Sequence, residues 1–144
     1  MKFSISLNLA FLLLVLAGNA ATAQCDEKSV RKSCKVSLGH YIFETADYKP
    51  YSSFASKDMV ETEFSAYEGE SYRVVNLSVG FAEDIEFTII APDKKTELFT
   101  NAKGKTVKTF DFSATQTGDY IIRFKFPSSA KTQAACVAYA VGYK

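Results

Sequence analysis

Apolar and polar residues alternate with a period of two along most of this chain, and turn-forming residues interrupt the alternation at short intervals. Val60, Thr62, Phe64 and Ala66 fall on one side of a segment whose other side is Glu61, Glu63 and Ser65, as expected of a half-buried strand. Glu68-Gly69-Glu70 supplies a turn. Residues 72–79 then run as a β-branched segment, with Arg73, Val75, Leu77 and Val79 opposite Tyr72, Val74, Asn76 and Ser78, and Gly80 ends it. Ile85, Phe87, Ile89 and Ala91 alternate up to the turn at Pro92-Asp93, and residues 96–100 follow as a short strand. The stretch Asn101-Ala102-Lys103-Gly104 has hairpin chemistry, leading into a strand over 107–112 with Phe110 and Phe112 on one face. Thr117-Gly118-Asp119 breaks the chain before Tyr120, Ile122, Phe124 and Phe126, and Pro127 closes that strand. In the last strand Val137, Tyr139, Val141 and Tyr143 oppose Cys136, Ala138, Ala140 and Gly142; so small a face predicts close packing against another layer.

Short strands separated by regular turns, without a long helical pattern, predict an all-β fold: an antiparallel β-sandwich of jelly-roll or Greek-key type with about seven or eight strands. Two stretches depart from the alternation. Residues 47–57 hold Tyr48, Tyr51 and Phe54 without a period and read as an aromatic loop. Residues 24–35 (QCDEKSVRKSCK) are almost wholly polar and read as an N-terminal arm or a short helical turn. The domain proper is then 36–144.

The first residues change the cellular picture. Lys2, an apolar run LAFLLLVLA and the small residues Ala21 and Ala23 before Gln24 have the pattern of a signal peptide spanning 1–23, cleaved after Ala23. Lipidation at Cys25 would require a small residue at position 24, where Gln stands. The mature chain would be secreted or periplasmic, with 121 of the 144 residues. It carries no further apolar stretch near the ~20 residues of a membrane span. Its 16 basic and 16 acidic residues balance, which leaves no electrostatic case for nucleic acid. With aromatics at 14% of the chain, a substantial core is available.

Three cysteines, Cys25, Cys34 and Cys136, would reach a compartment that permits disulfides. Closeness of domain termini favours Cys34–Cys136, leaving Cys25 in the arm as the odd thiol and a means of disulfide dimerisation. No pair has the spacing of a redox motif or a zinc site.

The stretch GFAEDIEFTIIAPDKKTELFTNA followed by KTFDFSATQTGDYIIRFKF resembles the prepeptidase C-terminal family of secreted β-sandwich modules. Phe110, Phe112, Ala114, Gly118 and Tyr120 stand at its motif positions. From CKVSLGHYIF to CVAYAVGYK the chain is also similar to small secreted single-domain proteins of Bacteroidetes. The resemblance covers about residues 34–144 and its motifs belong to a fold. Gly118 would allow a tight entry, and the Tyr120 hydroxyl would bond back to the turn, as in tyrosine corners. What the resemblance implies is an accessory or binding role, since such modules accompany proteases or act as appendages.

Candidate chemistry is sparse. His40 is the sole histidine, so a Cys34–His40–Asp47 hydrolase is the one nucleophilic arrangement to weigh; a bonded Cys34 and a strand-borne His40 speak against it. Glu61/Glu63, Glu68/Glu70 and Glu83/Asp84 are paired carboxylates, and the first pair lies ~7 Å apart on one strand face, but an exposed strand face has the same appearance. Glu83, Asp84 and Asp93 could hold a structural calcium ion, although they match no defined calcium loop. Asn76-Leu77-Ser78 is a glycosylation sequon in mid-strand. These observations favour a non-enzymatic, cofactor-free accessory protein that binds a protein partner at the cell envelope. Its contact surface would be Tyr48, Tyr51 and Phe54, or else the Tyr139/Tyr143 face. A carbohydrate-binding module, disfavoured by the absence of Trp, or a structural part of an envelope assembly is the alternative; a hydrolase ranks below these.

Overall fold

A computed structural model describes residues 25–81, 85–101, 109–127 and 132–144. The signal segment and its cleavage point, the Glu83–Asp84 pair and the Gly104 turn lie outside the described residues. Helix α1 (Glu27–Ser37) precedes strands β1 (Ile42–Pro50), β2 (Met59–Ala66), β3 (Ser71–Val79), β4 (Glu86–Ile90), β5 (Glu97–Thr100), β6 (Thr109–Ser113), β7 (Gly118–Lys125) and β8 (Cys136–Tyr143). The strands form two four-stranded sheets, ordered β1-β8-β3-β6 and β2-β7-β4-β5. Every pairing is antiparallel. Two such sheets, with the chain crossing between them at every connection except β4–β5, make a jelly roll. The turn at Glu68-Gly69-Glu70 therefore bridges the two sheets, and β5 and β6, expected to form a hairpin, sit in different sheets.

The space between the sheets is filled largely by aromatic rings. Phe64, Tyr72, Phe87, Tyr120, Phe124 and Phe126 are buried there with Ile89, Ile122 and Val141. The phenols inside find partners: Tyr72 donates to Glu70 Oε2 at 2.8 Å, and Tyr120 donates to the Gln116 carbonyl at 3.1 Å, closing the expected tyrosine corner. Gly118 is needed at the entry to β7, because a Cβ there would stand 2.9 Å from Pro92 Cβ.

The largest departure from the sequence reading lies at the N-terminus. The polar arm is a helix of 11 residues. Asp26 caps it by accepting the Ser29 N–H at 2.9 Å, Glu27 occupies the first turn and Lys35 the last, each suited to the helix dipole. Val30, Cys34 and Leu38 recur every fourth residue, so they share one face. That face packs onto the outside of the first sheet, against Val75, Cys136, Ala138 and Ala140. The small side of β8 thus lies beneath a helix, and β8 is buried on both faces from Cys136 to Gly142. A Cβ on Gly142 would approach the Ile42 carbonyl to 2.9 Å and Leu38 Cδ2 to 3.2 Å.

The disulfide joins Cys25 to Cys136, with the Cα atoms 5.9 Å apart, and Cys34 is the free thiol. This corrects the expected Cys34–Cys136 pairing and removes Cys25 as a link between chains. Cys34 points into the contact between helix and sheet, whereas Cys25, just ahead of the helix, reaches the start of β8.

Candidate binding cleft

The helix-end disulfide, the end of β1 and the approach to β8 enclose a cleft of about 700 Å³. Cys25 lines one side, Tyr48 and Pro50 of β1 a second, Tyr51 and Ser52 a third, and Gln133–Ala135 a fourth. Pro50 has no N–H to continue a ladder, and the chain turns there into one 3-10 turn, Tyr51–Ser53, closed by the Phe54 N–H donating to the Tyr51 carbonyl at 3.0 Å. Tyr48 is held by its hydroxyl, which donates to the Cys25 carbonyl at 2.8 Å. Burial, with Glu27 and Asp26 nearby, raises the Tyr48 pKa, so the phenol remains a neutral donor. Among the described residues no charged side chain lines the cleft.

Of the three loop aromatics expected at a binding surface, Tyr48 and Tyr51 come together here, half-buried. Phe54 does not. It is fully buried, stacked on Phe126 at 4.4 Å and on Phe81 at 5.8 Å, with Tyr51 edge-on at 5.7 Å. It anchors the turn that presents Tyr51. The alternative Tyr139/Tyr143 face is likewise no surface: Tyr139 is buried with its hydroxyl 3.0 Å from Thr62 Oγ1, and half-buried Tyr143 packs on Tyr72. The Cys25 and Gln133–Ala135 walls were absent from the sequence reading, because nothing local to either segment places them beside β1.

The hydrolase arrangement is not assembled. Burial pushes the Cys34 thiol up to about 11, which is the opposite of an activated nucleophile. His40 is exposed in the turn after α1, outside any strand, with its ring against Tyr41. The Asp47 carboxylate is engaged by Lys49 at 2.6 Å and Arg31 at 3.4 Å. Glu61 pairs with Arg123 at 2.7 Å, and Glu70 accepts from Tyr72. Asp93 spends its oxygens on the turn between β4 and β5, accepting from the Lys95 and Thr96 N–H groups and the Thr96 hydroxyl; these bonds lower its pKa to about 2. Among the described residues no three potential ligands gather around a metal position. Asn76 of the sequon is buried in β3. Among the described residues no helix is long and apolar enough to cross a membrane.

No family model matches the chain, and no curated protein matches it. Among solved structures it is similar to PliG of Aeromonas hydrophila, a periplasmic lysozyme inhibitor of g-type lysozyme. The identity is 13% and the TM-score 0.49, over 73% of this chain and 89% of that one.

Proposed function

We propose that this is a secreted or periplasmic, non-catalytic accessory protein that captures a protein partner in the cleft walled by Tyr48 and Tyr51. The observation that carries the reading is the cleft itself. It is concave and tyrosine-lined, its described lining is uncharged, and a covalent bond fixes one of its walls. Its volume falls in the range of ~300–1,000 Å³ typical of binding sites, and tyrosines recur at the energetic centres of protein interfaces. The neutral lining of the described residues favours an apolar or amide-rich surface over a charged one. An intramolecular disulfide suits an oxidising compartment, in line with the signal-like N-terminus. The resemblance to prepeptidase C-terminal modules, which serve as appendages, points to the same class.

The test is a photo-cross-linking side chain at Ser52 of the full chain, expressed in its native cells. A discrete cross-linked protein is expected, and it should disappear in Tyr51→Ala while the thermal transition stays in place. A cross-link unaffected by Tyr51→Ala overturns the assignment. So does labelling of glycan alone, which would move the protein to the carbohydrate-binding class.

A further inference from the structure

The jelly roll has two edge strands on one flank, β1 in the first sheet and β2 in the second, and they are treated differently. Edge strands carry a row of unpaired N–H and C=O groups that can template another strand, and proteins usually blunt them. β1 is blunted along its length. Arg31 Nη1 donates to the Ala46 carbonyl at 3.0 Å, the Asp47 carboxylate accepts the Tyr48 N–H at 2.8 Å, Pro50 has no N–H, and the pairing with β8 is broken by a bulge between Phe43 and Thr45. β2 has none of these devices: its eight residues pair with β7 in unbroken register, and among the described residues no side chain bonds to its backbone.

Beside that edge runs a groove of about 340 Å³, lined by Glu44 and Thr45 of β1, Glu63, Phe64 and Ser65 of β2, and Asp119 of β7. Among the described residues its three carboxylates are poorly neutralised: Glu63 has only Lys94 at 4.0 Å, with both side chains well exposed, and Asp119 accepts a hydroxyl from Ser65. Burial and the nearby Glu70 push the Glu44 carboxyl above its usual range. The edge also discriminates against itself. If two β2 strands paired antiparallel about Thr62, Glu61 of each would face Glu63 of the other, and like charges directly opposite are destabilising.

We propose that β2 is a strand-addition site for an extended segment of a partner protein carrying Lys or Arg at alternate positions. Backbone bonds to the open edge supply the affinity in this mode of recognition, and side chains every second residue supply the specificity. Basic residues on one face of such a segment recur every ~7 Å, and the carboxylates within their reach are Glu63 on the edge itself with Glu44 and Asp119 on the flanking strands. This surface is separate from the tyrosine cleft and stands or falls without it.

The probe is a fluorescent peptide of about ten residues alternating Lys and Thr, enough to span β2. It is compared with a Glu/Thr peptide and with a Lys/Thr peptide N-methylated at its central residues, which keeps the charge and loses the N–H donors. Anisotropy with the full chain is expected to show binding of the first peptide only. N-methylation should weaken it by about tenfold or more, given several backbone bonds lost. Glu44→Gln/Glu63→Gln should weaken it too, Tyr51→Ala should leave it unchanged, and β2 amides should gain exchange protection. Equal binding of the N-methylated peptide reduces the site to unspecific charge attraction and overturns strand addition. Failure of the Lys/Thr peptide to bind, or binding indifferent to the Glu44/Glu63 double variant, overturns it as well.

Discussion

The outer faces of the two sheets began from the same strand alternation and were finished in opposite ways. On the first sheet the outward residues of β8 are Cys136, Ala138 and Ala140, and helix α1 lies on them with Val30, Cys34 and Leu38. On the second sheet the outward positions of β2, β4 and β7 carry cross-strand or neighbouring ion pairs, Glu61–Arg123, Glu63–Lys94 and Glu86–Lys125. Ile90, Ile121 and Thr88 are buried on that face, in register beside Glu97, Glu63 and Arg123. One face is thus a second, small core beneath a helix, and the other sets exposed ion pairs beside the buried Ile90, Ile121 and Thr88. Burial of apolar area is worth ~25 cal/mol per Å², whereas exposed ion pairs contribute ~0–1 kcal/mol each. Damage to the helix-covered face should therefore cost much more.

The largest expected effect comes from cutting the bond that ties α1 down. Cys25 and Cys136 are 111 residues apart, and a loop of that order is worth about 4.7 kcal/mol on the chain-entropy model, with measured losses of ~2–5 kcal/mol. Reduction, or Cys25→Ala, should lower the stability against urea within that range, and α1 amides should be the first to lose exchange protection. Thiol counting checks the pairing at the same time. The native chain should expose no alkylatable thiol, and denaturant without reductant should release one, Cys34, whose burial raises its pKa to about 11. A Cys25 thiol labelled in the native state would break the comparison at its root.

A smaller effect is expected from overfilling the same contact. Ala140 is fully buried between β8 and the helix, so Ala140→Leu must push α1 outward. The cost of inserting methylenes into a packed interior is ~1–3 kcal/mol, read as a lowered thermal midpoint with the sandwich core intact by near-ultraviolet dichroism. An unchanged midpoint would mean that α1 is loosely laid on the sheet.

These two faces were unequally legible in the sequence. The strands of the sandwich could be read because each buries one side only: Phe64 beside Glu63, or Phe124 beside Arg123, makes the period visible. The helix was hidden because its buried face amounts to Val30, Cys34 and Leu38 within a run of charges. Its trace was indirect, in the small side of β8 that required some covering layer. The disulfide followed from the same blind spot. Termini close in space pointed to Cys136 correctly, but the choice between Cys25 and Cys34 depends on how a helix is rotated. For the cleft, Tyr48 and Tyr51 could be picked out as aromatics without a period, yet Phe54 has the same local appearance and is buried by Phe81 and Phe126. Sheet order was out of reach of turn chemistry, since Glu68-Gly69-Glu70 serves a crossing between sheets as well as it would a hairpin.

The smallest effect sharpens the contrast by comparing one ion pair from each face. On the second sheet, Arg123 Nε lies 2.7 Å from Glu61 Oε1, a single contact between partners opposite one another in register. On the first, Arg73 grips Asp111 with two bonds of 2.7 Å, lies over the Tyr41 ring with its guanidinium 4.6 Å from the centroid, and reaches the Leu38 carbonyl at the end of α1. The Arg73 bonds hold the Asp111 carboxyl below its usual range. A depressed carboxylate contributes stability that is present above its unfolded pKa of ~3.9 and is lost as pH falls through the lower folded value. Double-mutant cycles at neutral pH should give a coupling of about 0.2–1 kcal/mol for Glu61–Arg123, shrinking in high salt. The Asp111–Arg73 coupling should be the larger, as bidentate charge-assisted pairs are, and should vanish only below pH ~4. Equal couplings with equal salt dependence would show that the helix and Tyr41 add nothing to the Arg73 pair, and that the two faces differ in apolar burial alone.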